Sequence, residues 1–581
     1  MTTTSDLNPE TVALLERGLR LAMRAVESVP GAPAVVNYLS HSYHNDRWRL
    51  FLEILLVGIL TKYLLSKKYR PREAPAVVLT DREIDQLVAE WEPEPLPMPL
   101  TKADNLILDS HIVFNGPSGK YLAVDSKRCL NFASLNFLGM TDRIEIRHEA
   151  EKVLRDYGVG TCGPPGFYGT LDAHLELETS IANFVGKEMA ILYSYGFAAI
   201  ASCIPAYAKK GDIIVVDEAA SFAVQRGVYV SRADVHTFKH NDMADLEAVL
   251  QKIEKTRIAR KQPLTRRFIV VEGLYQNTGT ICDLVTVTRL KTQYKYRLVV
   301  EDSFGFGTLG KTGRGAVEHT GADMGKVDFY VASLANSLAG AGGFVAGATD
   351  VIDHQRLAGL GYTFSASMPA IMARASLRAL KILRDEPEAL IGRLRANTAH
   401  FRQALTHQLK AAGLQDTVEL PGVVESPAVH VRLVHGSPLL AKLGDDRFDE
   451  ECLLEAVVTR ARVGADVVDP AEAEAAEAAF AKETAVGQMW PSLAGTTQED
   501  LTLPADAEKA AALASATLLN GLPHGGVVFT RAKYALDQEL PVPPPASIRV
   551  VISAAHGQAE LDRAAAVLAK SLKLVISERF A

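Results

Sequence analysis

VVEDSFGFGTLGKTGRG, Val299–Gly315, reads as a β-strand that ends in two acids and runs directly into a glycine-rich loop. In open α/β sheets ligands bind at the carboxyl ends of strands, so Glu301 and Asp302 stand where a cofactor would be held. Strand-end acids also serve as plain helix caps, and the stretch alone leaves both readings open. The sequence around it adds weight to the first. Apolar strand candidates recur at Ala190–Tyr193, Ile213–Val216, Phe268–Glu272, Leu298–Glu301, Phe329–Ala332 and Phe344–Ala348, with helical stretches between several of them. That alternation predicts a mostly parallel α/β sheet.

The 581 residues leave room for about four domains of ~150 residues, or for a two-domain enzyme with appendages. An apolar share of 48% against 23% charged supports a large core and excludes a mainly disordered chain. With 62 basic and 69 acidic residues the net charge is −7, which leaves no basic excess for nucleic acid. Five scattered cysteines, without a C-x-x-C pair, argue against a zinc site or a disulfide framework and fit a reducing compartment.

The first dozen residues are polar and acidic, unlike a secretory signal, and Pro9–Val29 reads as an amphipathic helix. Next comes LFLEILLVGILTKYLL, Leu50–Leu65, apolar except at Glu53 and Lys62. A membrane helix takes ~20 apolar residues and at least ~17; Trp48 and Tyr63 as interfacial anchors, with Lys62 snorkelling, bring the run to that limit. The alternative is a buried helix of a soluble domain, but the run stands apart from the main body with bases close on both sides. Lys67, Lys68, Arg70 and Arg72 follow it and only Arg47 and Arg49 closely precede it, which predicts a cytosolic main body. The expected domains are an N-terminal helical region at 1–72, a proline- and acid-rich linker at 73–100, a large domain at 101–370 and a smaller α+β domain at 371–581. The linker has a short helix over Asp81–Trp91. Pro369–His407 is expected as a long helical connection, the region near Leu561–Ile576 as a terminal helix, and the Ala- and Glu-rich stretch at about 469–519 as a surface insertion.

Three further segments carry shape. YGVGTCGPPGFYG, Tyr157–Gly169, has five glycines in thirteen residues and is followed by His174-Leu-Glu-Leu-Glu178, a pattern that suits close backbone approach to a ligand or a tight interface. ASLANSLAGAGGFVAG, Ala332–Gly347, leads from strand to turn to strand. GYTFSASMPA, Gly361–Ala370, places Ser and Thr before a helix, where they act as N-caps or hold phosphate. In this order the segments resemble the α-oxoamine synthases, the fold type I pyridoxal-phosphate (PLP) enzymes that join an amino acid to an acyl-CoA. LGKTGRG matches the loop after that family's cofactor-binding acid and AGAGGFVAG the segment after its Schiff-base lysine. FKHND at Phe238–Asp242 and RVVISAAH at Arg549–His556 match two more of its signatures. The resemblance implies a large domain with a mostly parallel seven-stranded sheet and a smaller α+β C-terminal domain, here with an N-terminal transmembrane helix.

The departures from the family pattern are informative. Glu301 takes the place of the aspartate that pairs with the pyridinium nitrogen. Phe304 replaces a histidine near the phenolic oxygen, and Ser221, in Asp217-Glu-Ala-Ala-Ser221, replaces the ring-stacking histidine. Asn336 replaces the lysine. An amide can neither form the imine nor move its protons, so the resemblance implies a non-catalytic subunit with no catalytic residue of its own. It would pair with a catalytic, PLP-bearing partner at the endoplasmic reticulum membrane as a heterodimer or a dimer of heterodimers, with room for small regulatory membrane subunits. The complex would condense L-serine with palmitoyl-CoA to 3-ketosphinganine. In this family the sites lie at the dimer interface, and Thr363, Phe364 and Ser365 match the segment that reaches the neighbour's cofactor phosphate. The glycine-rich loop with Cys162 and Tyr168 keeps its shape, which implies a contribution to the partner's active site. A catalytic homodimeric synthase would need a lysine at 336, and a bare membrane scaffold would not need the Ser/Thr segment.

Overall fold

The computed structural model describes residues 47–65, 79–93, 96, 99–443, 447–463, 524–532 and 544–580, with a few single positions before 47. The expected helix at Pro9–Val29, the basic residues 67–72 and the insertion at 469–519 lie outside the described residues. The chain divides into two compact units, Met1–Met98 and Pro99–Ala581.

In the first unit the apolar run forms one helix, Arg47–Leu65. Its Phe51, Leu52, Ile54, Leu56 and Leu60 are exposed, as is Trp48. Among the described residues, however, no helix is long and apolar enough to cross a membrane. The expected transmembrane span is corrected for a compositional reason. Sixteen apolar-run residues fall short of a bilayer, and extending them toward Arg47 adds two arginines to Glu53 and Lys62. Glu53 accepts hydrogen bonds from the Tyr38 hydroxyl at 2.9 and 3.0 Å. A second helix, Asp81–Glu90, starts at a capping box in which the Thr80 and Glu83 side chains each bond the other's backbone N–H.

Among the described residues, the second unit is built on three sheets. The strands are β1 Phe114–Asn115, β2 Tyr121–Val124, β3 Lys127–Asn131, β4 Met189–Tyr193, β5 Ile213–Asp217, β6 Asp234–Phe238, β7 Arg267–Glu272, β8 Arg297–Glu301, β9 Phe329–Ser333, β10 Gly343–Gly347, β11 Val418–Glu419, β12 Ala428–Leu433, β13 His524–Val528, β14 Thr530–Arg531 and β15 Ile548–Val551. The large sheet runs β4-β10-β9-β8-β7-β5-β6. Its β9, β8, β7, β5 and β6 are mutually parallel, and β10 lies antiparallel between β9 and β4. Every residue of β7 is buried, the pattern of a strand covered on both faces.

The two smaller sheets run β1-β2-β3-β13 and β11-β12-β15-β14. β13 is closely packed on both sides. A side chain on Gly526 would collide with Ala461 O, and one on Gly525 with Cys129 Sγ, so glycine lets the strand lie between β3 and the Arg447–Val463 helix. The expected helical connection is two helices, Ala370–Asp385 and Arg393–Ala412, parted by a wide turn at Glu388–Gly392. Pro387 accounts for the break, because it drives Glu386 out of the helical region. The chain's last described helix, Gln558–Phe580, packs on Arg393–Ala412.

Candidate active site at the strand ends

β7 and β8 finish side by side, with Glu272 opposite Glu301 in register. Both carboxyls are buried. Glu272 accepts from the N–H of Ser221 and of Gln276, the latter at 3.1 Å. Glu301 accepts from the Ser303 N–H at 3.1 Å and from the Ser303 hydroxyl. Burial pushes both carboxyls above the usual range, and for Glu272 the neighbouring Glu301 charge pushes the same way. Such a pair resists carrying two negative charges at once.

Asp302 has a different task. It accepts from the Ala316 N–H at 2.7 Å and the Tyr330 hydroxyl at 2.8 Å, and burial raises its pKa to about 7. A side chain on Gly273, Gly305 or Gly315 would strike its carboxylate. The glycines of GFGTLGKTGRG therefore let the loop fold back around Asp302, which pins the loop where the Ala316–Thr320 helix begins. Of the two strand-end acids, Asp302 is a loop clamp and Glu301 the candidate ligand group.

Asn336 sits buried in the short Ala335–Leu338 helix, its amide donating to Ser303 O at 3.0 Å. The backbone carbonyl of Asn336 accepts from the Phe137 N–H at 3.1 Å. Phe304 is buried edge-on against Phe137, ring centres 5.4 Å apart. Ser221 is the N-cap of the Phe222–Ser231 helix, its backbone tied to Glu272. Glu301, Ser303 and Asn336 thus form one bonded group, joined to Ser221 through the Glu272–Glu301 pair. The sequence reading gave no part to Glu272 or Ser303. These residues do not fit PLP held as a Schiff base. The only nitrogen at the lysine position is an amide already committed to a backbone carbonyl, so no amine is present to form the imine.

The second predicted group lies together on another part of the surface. Cys162 and Tyr168 are exposed and hold left-handed backbone, φ 57° and 65°. Gly163 O accepts from the Ser367 N–H at 2.9 Å, and the Ser194 hydroxyl donates to Ala366 O. Gly169 is packed so closely that a methyl there would collide with Gly163 O, Pro164 O and Ser367 Oγ. The glycine-rich loop is therefore pressed against Ser367, two residues beyond the Thr363–Ser365 segment. Phe364 stands 79% exposed, while the Thr363 hydroxyl is buried and unpartnered among the described residues. Between loop and segment lies a cavity of about 20 Å³, lined by Thr170, His174, Glu178, Ser194, Ser365 and Ser367 among others.

Residues 127–421 match the aminotransferase class I and II family. Long chain base biosynthesis protein 1b of Oryza sativa subsp. japonica is 42% identical over 409 residues, covering 70% of this chain and 81% of that protein. Serine palmitoyltransferase 1 of Dictyostelium discoideum is 38% identical over 407 residues, 70% and 82%. A solved serine palmitoyltransferase with a PLP internal aldimine superposes with a TM-score of 0.59 at 20% identity, covering 85% of this chain and 98% of that one; it supports the PLP-transferase fold alone. With this fold, and with relatives at this identity matched over four fifths of their length, the chain belongs to the serine palmitoyltransferase 1, or long chain base biosynthesis protein 1, family within the class I and II aminotransferases.

Proposed function

We propose that this chain is the non-catalytic subunit of a serine palmitoyltransferase, the acyltransferase of the first step of sphingolipid synthesis. The complex condenses L-serine with palmitoyl-CoA to 3-ketosphinganine, releasing carbon dioxide and CoA. The observation that carries the assignment is Asn336, whose amide is spent on Ser303 O where the reaction needs a free amine. PLP then belongs to the catalytic partner, and this chain's part is to complete the partner's site from across the interface. Thr363, Phe364, Ser365, Cys162 and Tyr168 supply that contribution. Phe364 and Tyr168 lie exposed beside hydroxyls that can meet a phosphate, which supports it.

Spectra of the two subunits, expressed apart and together, test this. The expected result is no borohydride-sensitive absorbance near ~420 nm in this chain alone and a full band in the complex. Ser365→Ala in this chain is expected to weaken PLP retention or turnover in the partner. A borohydride-sensitive band in the isolated wild-type chain would overturn the assignment.

The Arg47–Leu65 helix extends the proposal to location. A helix with apolar residues exposed around it gains by meeting lipid, and Trp48, Tyr63 and Lys62 suit the interfaces. We place the complex at the endoplasmic reticulum membrane with the main body cytosolic. Removing the Arg47–Leu65 helix is expected to shift the complex from the membrane fraction to the soluble one in a flotation assay. Unchanged flotation without the helix would remove this part.

A further inference from the structure

We infer that His174 and Glu178, one turn apart on the Asp172–Val185 helix, brace both ends of the Thr363–Ser365 segment and so act as positioning residues for the partner's site. This rests on the reading of Ser365 above and adds what holds it. Positions i and i+4 share one helix face, so the two buried side chains leave the helix together.

His174 takes the C-terminal side. Its Nδ1 accepts from the Leu171 N–H at 2.9 Å, and its Nε2 lies 2.6 Å from Met368 O. A carbonyl only accepts, so Nε2 carries the hydrogen and the ring is a neutral tautomer with both nitrogens engaged. Capping the helix accounts for the first bond and not for the second, which reaches a residue 194 positions along the chain. Glu178 takes the N-terminal side. One oxygen accepts from the Leu192 N–H at 3.1 Å and the other from Arg356 at 2.8 Å. Arg356 in turn donates to the Tyr362 hydroxyl at 3.1 Å, directly before Thr363. Between these arms the Ser367 N–H bond to Gly163 O and the Ser194 bond to Ala366 O fix the rest of the segment. Ser365 is thus held in a loop tied at 362, 366, 367 and 368. Placement matters because ~1 Å of misplacement at a reacting centre can cost ~100-fold in rate.

The test measures backbone hydrogen exchange over 363–368 and the rate of PLP loss in the assembled complex. His174→Ala is expected to raise exchange there about five- to tenfold and to speed PLP loss by a similar factor, since a buried bond is removed. His174→Gln, whose amide N–H can still reach Met368 O, is expected to restore most of both. Where His174→Ala does not assemble, Arg356→Gln severs the other arm and is expected to raise the same exchange. Unchanged exchange overturns the brace. Raised exchange with unchanged PLP loss overturns the positioning role if Ser365→Ala does speed that loss. If Ser365→Ala does not, the result overturns the underlying reading of Ser365.

Discussion

Changing Asn336 to lysine will leave this chain without a borohydride-sensitive absorbance near ~420 nm and without synthase activity. The substitution supplies the missing amine, but the surroundings are built for something else. The amide it removes is the donor to Ser303 O, so a buried carbonyl loses its partner. The cofactor ring would find Phe304, which is already packed against Phe137, and Ser221 in place of a stacking imidazole. Its pyridine nitrogen would meet Glu301, a carboxyl whose pKa burial raises and that Ser303 already occupies. Defects that act on one bound group compound, so repairing one of them restores little. The spectrum of the single variant, with and without added PLP, gives the answer. A stable band that borohydride abolishes would mean that the lost lysine was the sole defect.

Gly169→Ala carries the other large effect. A methyl group there would occupy the space of two backbone carbonyls and the Ser367 hydroxyl, and backbone cannot swing away as a long side chain can. Overpacking of this kind costs roughly 1–3 kcal/mol. Relief requires the loop's own Gly163 and Pro164 carbonyls to shift and the loop to part from Ser367, which follows the Thr363–Ser365 segment. The partner's turnover is therefore expected to fall by at least tenfold, with a melting temperature several degrees lower for this chain. Gly160→Ala is the comparison, because a methyl at that position meets nothing in this chain. Equal melting of the two variants would show that the loop accommodates the methyl and that the contact is not tight.

The large sheet was readable because six of its seven strands are short apolar runs, mostly buried, and all six expected strands form; the seventh, β6, is DVHTF and largely exposed. The direction of β10 was not, since AGAGGFVAG says nothing about which way it pairs. The smaller sheets escaped for a physical reason: β1, β11 and β14 span two residues each, and β13 is HGGVV, a strand made by glycines that give way to its neighbours. At the strand ends, Glu301 and Asn336 were legible as departures from a pattern. Glu272 was not, because its closeness to Glu301 depends on strand register across a parallel pair. His174 was visible as a residue but not as a brace, since its partner, Met368, comes from a distant stretch of chain. The Leu50–Leu65 run was legible as a helix, but its apolar length is too short and its charges too many for the span expected of it.

The same sheet order sets a schedule for the ribosome. β4 is made early, yet its neighbour β10 emerges about 150 residues later, and β3 waits nearly 400 residues for β13. Until then each offers a bare hydrogen-bonding edge, the kind that invites pairing with other chains. Contacts this far apart in sequence also form slowly. A nascent chain of this design therefore spends most of its synthesis unfinished, and a stop near its C-terminal end would strand β3 with an open edge after almost all the protein has been made. The aggregation hazard of that interval is set by the topology, independent of any chemistry the finished protein supports.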